Sequence, residues 1–124
     1  AREQRVASLL DGLLPIWFTP EFIAADPPAV RYVRTCFESD SGEGYGLACE
    51  ALAAADLRPL APSIAAPTLI VCGDQELPPF RDAARWLEAN IRGARLTWLS
   101  PARHASVLQQ PEGFVRAASE FLGA

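Results

Sequence analysis

The sequence predicts an α/β fold in two sections, a helical first half followed by part of a parallel sheet. Three observations predict it. Apolar residues recur at helical spacing through residues 1–60 with no alternating run among them. "TLIVCG" (68–73) and "ARLTWL" (94–99) are short apolar runs of the kind shown by strands buried on both faces. An amphipathic stretch led by two prolines separates them, and strand, crossover helix and strand in that order give parallel pairing. Two parallel strands are too few for a stable sheet, so completion by a missing portion, a second chain or a swapped copy is expected.

Val6, Leu9, Leu10, Leu13 and Leu14 fall on one face of a first helix, which Pro15 is expected to end. After "IWFTPEF", Pro27 and Pro28 open a second helix carrying Val30, Val33, Cys36 and Phe37. "SDSGEG" interrupts the pattern, and Tyr45, Ala48, Cys49 and Leu52 mark a third helix. The proline-rich "DLRPLAPSIAAP" keeps Leu57, Leu60 and Ile64 within reach of a core. Behind Pro78 and Pro79, a stripe of Phe80, Ala83, Ala84, Leu87 and Ile91 gives the crossover helix, with a stop at residues 90–93. The last helix starts at Pro111 and shows Phe114, Ala117, Ala118, Phe121 and Leu122 on one face.

Composition narrows the function classes. The 124 residues are 50% hydrophobic and 21% charged, an ordinary globular balance. A net charge of −4 without a basic block offers nothing to a nucleic acid or an anionic membrane. No apolar stretch approaches the roughly 18–20 residues needed to cross a bilayer, so a cytoplasmic chain is expected. Cys36, Cys49 and Cys72 form no C-x-x-C pair and are expected to be reduced, buried thiols. Methionine is absent even at position 1, so a processed, cut or incomplete chain is expected. One histidine and no Cys/His cluster predict no metal site, and no organic cofactor is implied.

The chemistry gathers at two loops. Acidic residues in "CGDQELPP" follow the first strand, and His104, in "LSPARHASVLQQPEGF", follows the second. In open α/β sheets functional groups collect at the carboxyl ends of strands. Glu76 and His104 are 28 residues apart, room for one loop, one helix and one strand, which brings the two loops side by side. A carboxylate beside an imidazole fixes its tautomer and stabilises the imidazolium, as a general base requires. The plainer reading of a lone histidine is a structural or exposed one.

Taken in order, "PTLIVCGDQELPP" and "LSPARHASVLQQPEGF" resemble the last two strands of the α/β-hydrolase fold. "IWFTPEF" and "EGYGLACEALAAADLRPLAPSIAAPTLIV" resemble the cap and post-cap sequence of 3-oxoadipate enol-lactonases, enzymes of aromatic-compound breakdown. The resemblance runs from about residue 5 to 122. It implies a helical cap over residues 1–60 and the C-terminal part of an incomplete α/β-hydrolase core over 61–124. It also implies hydrolysis of a small carboxylate-bearing lactone or ester by a Ser-His-acid triad.

His104 matches the family's base, preceded by Arg103 where relatives commonly have Gly. Glu76, three residues after Gly73, stands where Asp is usual; Asp74 is the rival acid, because the loop before Pro78 is about two residues short. The nucleophile is missing: none of Ser8, Ser39, Ser41, Ser63, Ser100, Ser106 and Ser119 has glycine at both minus two and plus two, and no cysteine does. A missing N-terminal half or a second chain is therefore expected to supply it, and homo-oligomers through open strand edges are a further expectation. The resemblance places Trp17 over the substrate pocket, against plain packing. Arg31 and Arg34, one turn apart, could meet a substrate carboxylate or simply line a solvated face. Trp86 and Trp98 read as core. Two other readings stand: a non-catalytic hydrolase remnant acting as an interaction module, and another capped hydrolase, such as an esterase or dehalogenase.

Overall fold

The computed structural model describes residues 3–40 and 42–123, with side chains from Ser8 onward; Val6 lies outside the described side chains. The chain forms two compact units. The first runs up to Pro15 and resumes from Pro20 to Asp56; the second joins Ile16–Thr19 to the chain from Leu57 onward.

The helices α1 (Glu3–Trp17), α2 (Pro20–Ala24), α3 (Pro28–Ser39) and α4 (Gly42–Ala54) come first. Leu10 and Leu14 are buried while Leu9 is exposed, so the α1 stripe is narrower than the sequence predicts. Pro15 does not end α1, which continues to Trp17. Proline forfeits one i→i−4 bond, and so near a helix end the loss is small enough to be carried. Asp26 turns the chain with φ of 43°, a left-handed conformation that Asp tolerates better than most residues. Pro28 then opens α3 at the position where a missing N–H costs no helical bond.

Val30, Val33 and Phe37 are buried on α3, and the Phe37 ring lies 6.1 Å from that of Tyr45. Cys36 and Cys49 are exposed and only Cys72 is buried, which corrects the expectation of three buried thiols. On α4 no residue is buried, and Leu47 and Leu52 are exposed. Its apolar residues are spread around the helix rather than gathered on one face, so no single stripe can be sealed.

In the second unit a 3-10 turn, Arg58–Ser63, precedes β1 (Leu69–Gly73), α5 (Pro78–Asn90), β2 (Arg95–Leu99), α6 (Ser106–Gln109) and α7 (Pro111–Leu122). The turn buries Ala61 and leaves Leu57, Leu60 and Ile64 exposed, contrary to expectation. Pro59 and Pro62 fix φ and hold a tight coil that directs only one side chain inward. β1 and β2 pair in parallel with Leu69 opposite Arg95 and Gly73 opposite Leu99. The β-branched Ile70 and Val71 suit this pleated surface. On the outer edge of β2, the Leu96 N–H donates to the Glu88 carboxylate at 2.9 Å. Among the described residues no strand pairs with the outer edge of β1.

Ala84 is buried on α5 and Ile91 is buried just past its end, outside the helix into which the sequence stripe carried it, whereas Phe80 is 49% exposed. Trp86 is exposed, and Trp98 is half-buried beneath the guanidinium groups of Arg81 and Arg85 at 5.9 and 5.2 Å. Neither is sealed in a core: cation faces and their apolar stems cover Trp98 instead. α7 ends at Gly123 with φ of 73°, and Leu122 projects outward. The four-residue α6 went unpredicted because one turn carries no periodic signal. No described helix is long and apolar enough to cross a membrane.

Candidate active site

The site begins where the two strands stop. The Asp74 N–H donates to the Leu99 carbonyl at 3.0 Å and the Gln75 N–H to that of Ala102 at 2.9 Å, so the two post-strand loops are zipped by backbone bonds. Gly73 permits this approach: a Cβ there would run into the carbonyl oxygens of Ala102 and Arg103.

Asp74 serves the same closure with its side chain. One carboxylate oxygen accepts from the Ser100 hydroxyl at 2.7 Å and the other from the Ala102 N–H at 3.0 Å. Burial pushes this carboxyl upward, but the bonds from Ser100 and from the Ala102, Asp74 and Gln75 amides outweigh it and hold the group below its ordinary 3.8. Of the two acids the sequence left open, Asp74 staples the loops and Glu76 reaches the imidazole.

Glu76 is buried, its side chain only 4% exposed, and each carboxylate oxygen has a donor. The Leu77 N–H bonds to Oε1 at 2.7 Å, and His104 Nδ1 lies 2.6 Å from Oε2. With the carboxylate as acceptor, Nδ1 carries the ring proton and Nε2 keeps its lone pair in the neutral imidazole. The His104 side chain is 41% exposed, so the ring is not sealed from solvent. The Phe80 ring lies 4.8 Å from the imidazole and the Trp17 ring 6.3 Å, at tilted angles. A cavity of about 270 Å³ opens beside them, lined among others by Cys72, Glu76, Phe80, His104 and Ser106. Burial, and then the Glu76 charge, raise the Cys72 thiol above its ordinary value, an effect that Arg81, Arg85 and the Gly73 backbone only partly oppose. Cys72 is therefore held as an inert thiol.

Trp17 thus lies in the same unit as His104 and close to it. Arg31 and Arg34 lie on α3 of the first unit, where the Arg31 guanidinium bonds to the Asp26 carbonyl and, at 3.2 Å, to its carboxylate. Arg34 is half-buried on the same helix. Among the described residues no three His, Cys, Asp or Glu side chains gather as a metal site would require.

Three contributors escaped the sequence reading: Ser100, Phe80 and Gln109. Gln109 is buried and bonds to both the Thr19 and Arg103 backbones. In "VLQQPEGF" two adjacent glutamines look alike, and only the fold separates the buried one from Gln110, which reaches the Pro101 carbonyl. Ser100 had a signal available, since a serine closing a strand beside an aspartate loop is a natural hydroxyl donor.

No protein-family model matches the chain. It is 34% identical over 116 residues to 3-oxoadipate enol-lactonase 2 of Acinetobacter baylyi, an alignment covering 94% of this chain and 43% of that protein. Among solved structures it is similar to an enol-lactonase from Burkholderia xenovorans, with a TM-score of 0.89 and 34% identity over 99% of this chain and 49% of that one. An esterase from Exiguobacterium antarcticum gives 0.78 and 25%, over 99% and 45%. The chain spans less than half the length of each of these proteins, as expected for the cap and C-terminal part of an α/β hydrolase.

Proposed function

Because the chain belongs to the α/β-hydrolase family, we propose that it is the base- and acid-bearing portion of a carboxylic-ester or lactone hydrolase acting on 3-oxoadipate enol-lactone or a close analogue. The observation that carries the proposal is the 2.6 Å contact between His104 Nδ1 and the buried Glu76 carboxylate, on an imidazole whose side chain is partly exposed.

In this reading a serine supplied by chain outside these 124 residues attacks the lactone carbonyl while Nε2 of His104 takes its proton. Glu76 steadies the imidazolium, which returns the proton to the departing enol oxygen. The resulting acyl ester is then opened by water, with His104 again as base. Residues 1–60 act as the cap and 61–124 as part of the core. Trp17 forms an aromatic wall of the substrate site, and Arg31 and Arg34 are the cations offered to a substrate carboxylate. The missing strands would pair with β1, because Glu88 already occupies the edge amide of β2 at Leu96. A cytoplasmic setting with reduced thiols goes with this role.

Likeness to the esterase favours a second reading, an acyclic ester as substrate. The test is to purify the protein from its source, measure the intact mass, identify any co-purifying chain, and assay lactone and ester hydrolysis. Hydrolysis by a sample that includes a G-x-S-x-G sequence, abolished in His104→Ala, is the expected result. A folded sample with that sequence and no hydrolysis of either class overturns the proposal in favour of a non-catalytic remnant.

A further inference from the structure

We infer that Gln109 is a positioning residue for His104, fixing the imidazole on Glu76 by gripping the backbone ahead of it and the segment that anchors the backbone behind it. The inference rests on the proposed role of the His104–Glu76 pair, but its test reads ring geometry rather than catalysis.

Gln109 is a polar side chain 94% shielded from solvent, which is costly unless its amide is fully used. It is used on both sides. Oε1 accepts from the Arg103 N–H at 3.3 Å and from the Thr19 N–H at 3.4 Å, while Nε2 donates to Thr19 Oγ1 at 2.7 Å. Arg103 directly precedes His104. Ala105 directly follows it, and the Ala105 N–H donates to the Trp17 carbonyl at 2.9 Å, two residues from Thr19. One amide thus ties the residue before His104 to the segment that holds the residue after it. The same segment presents the Trp17 ring to the imidazole. Gln109 touches neither His104 nor Glu76 in any of these bonds, so its influence on the ring passes through the loop backbone.

His104 is the only histidine, so labelling histidine with ¹⁵N makes the chain report on this ring alone. In the native chain the neutral ring is expected almost wholly as the Nδ1–H tautomer. In Gln109→Leu the loop loses the grip, the bond to Glu76 lengthens, and the Nδ1–H to Nε2–H ratio should fall by about five- to tenfold, the scale of one weakened charge-assisted bond. Gln109→Glu keeps two acceptor oxygens for Arg103 and Thr19 and can take the Thr19 hydroxyl as donor, so it should restore the native ratio. Thr19→Val, nearly isosteric, removes one bond of the three and should give an intermediate ratio.

A native ratio in folded Gln109→Leu overturns the inference. If that variant does not fold, Thr19→Val decides in its place, and a native ratio there overturns it equally. Loss of hydrolysis with an unchanged ratio would likewise count against Gln109 as positioner while leaving the hydrolase reading intact. A shifted ratio in protein that includes the G-x-S-x-G sequence and still hydrolyses nothing would support the positioning and sink the hydrolase.

Discussion

Removing the Asp74 carboxylate tests whether the two post-strand loops are held together by that side chain. Asp74→Ala deletes two bonds to an ionised acceptor, from Ser100 at 2.7 Å and Ala102 at 3.0 Å. Bonds of this kind are worth about 1.5–3 kcal/mol each when shielded, and solvent screening of a half-buried group lowers the pair to about 2 kcal/mol. With a urea dependence of about 1–3 kcal/mol per molar for a small protein, the unfolding midpoint should drop by about 1 M. Asp74→Asn, which keeps an acceptor for Ala102, should lose about half as much.

The pH dependence has a definite sign. The folded carboxyl lies below 3.8, its ordinary value, so its stabilisation is fully present above that pH and is lost as pH falls through the folded value. The gap between native and Asp74→Ala chains should therefore be constant from neutral pH down to about 5 and close as pH drops below 3.8. A midpoint within error of the native chain at pH 7, or a gap unchanged below pH 3, would refute the staple.

Gly73→Ala should destabilise by about 1–3 kcal/mol or more, read by the same urea titration, because the colliding atoms are the backbone carbonyls of Ala102 and Arg103 and cannot swing aside. A disulfide-exchange reagent added to the native chain should modify Cys36 and Cys49 quickly and Cys72 only after denaturation, since Cys72 is buried with a raised pKa. Three fast thiols would contradict the packing around β1. Glu76→Gln keeps the size and the Leu77 contact but offers no carboxylate to Nδ1. The Nδ1–H tautomer should lose its preference, as ¹⁵N shifts of the single histidine would report.

Much of this was legible in the sequence for identifiable reasons. The strands at Leu69–Gly73 and Arg95–Leu99 announced themselves as short apolar runs bounded by Pro67, Gly73 and Gly93, and their parallel pairing followed from the helix between them. His104 and its acidic neighbours could be brought together by counting residues, because strand ends fix where loops emerge. What the count could not do was choose between Glu76 and Asp74, two residues apart in one turn. That choice depends on which carboxylate reaches the His104 ring and which crosses to Ser100 and Ala102, a matter of backbone geometry. Exposure was the other blind spot. Leu52, Leu60 and Leu122 sit at positions a pattern assigns to a core, yet all three are exposed, because periodicity says which face is apolar and not whether anything covers it. Gln109 was invisible for the complementary reason: a polar residue is buried only when distant backbone groups, here at Thr19 and Arg103, converge on it.

The sharpest measurement is the hydrolysis rate of protein that includes the nucleophile-bearing sequence, compared with its His104→Ala and Glu76→Gln forms at equal fold content. If His104 is the base and Glu76 its orienting acid, kcat/KM should fall by about 10³–10⁵ in the first and by about 10²–10⁴ in the second. Asp74→Asn, by contrast, should stay within about tenfold of the native protein wherever it remains folded. Hydrolysis that survives His104→Ala within about tenfold, or that depends on Asp74 and not on Glu76, would contradict the pairing on which the proposed chemistry stands.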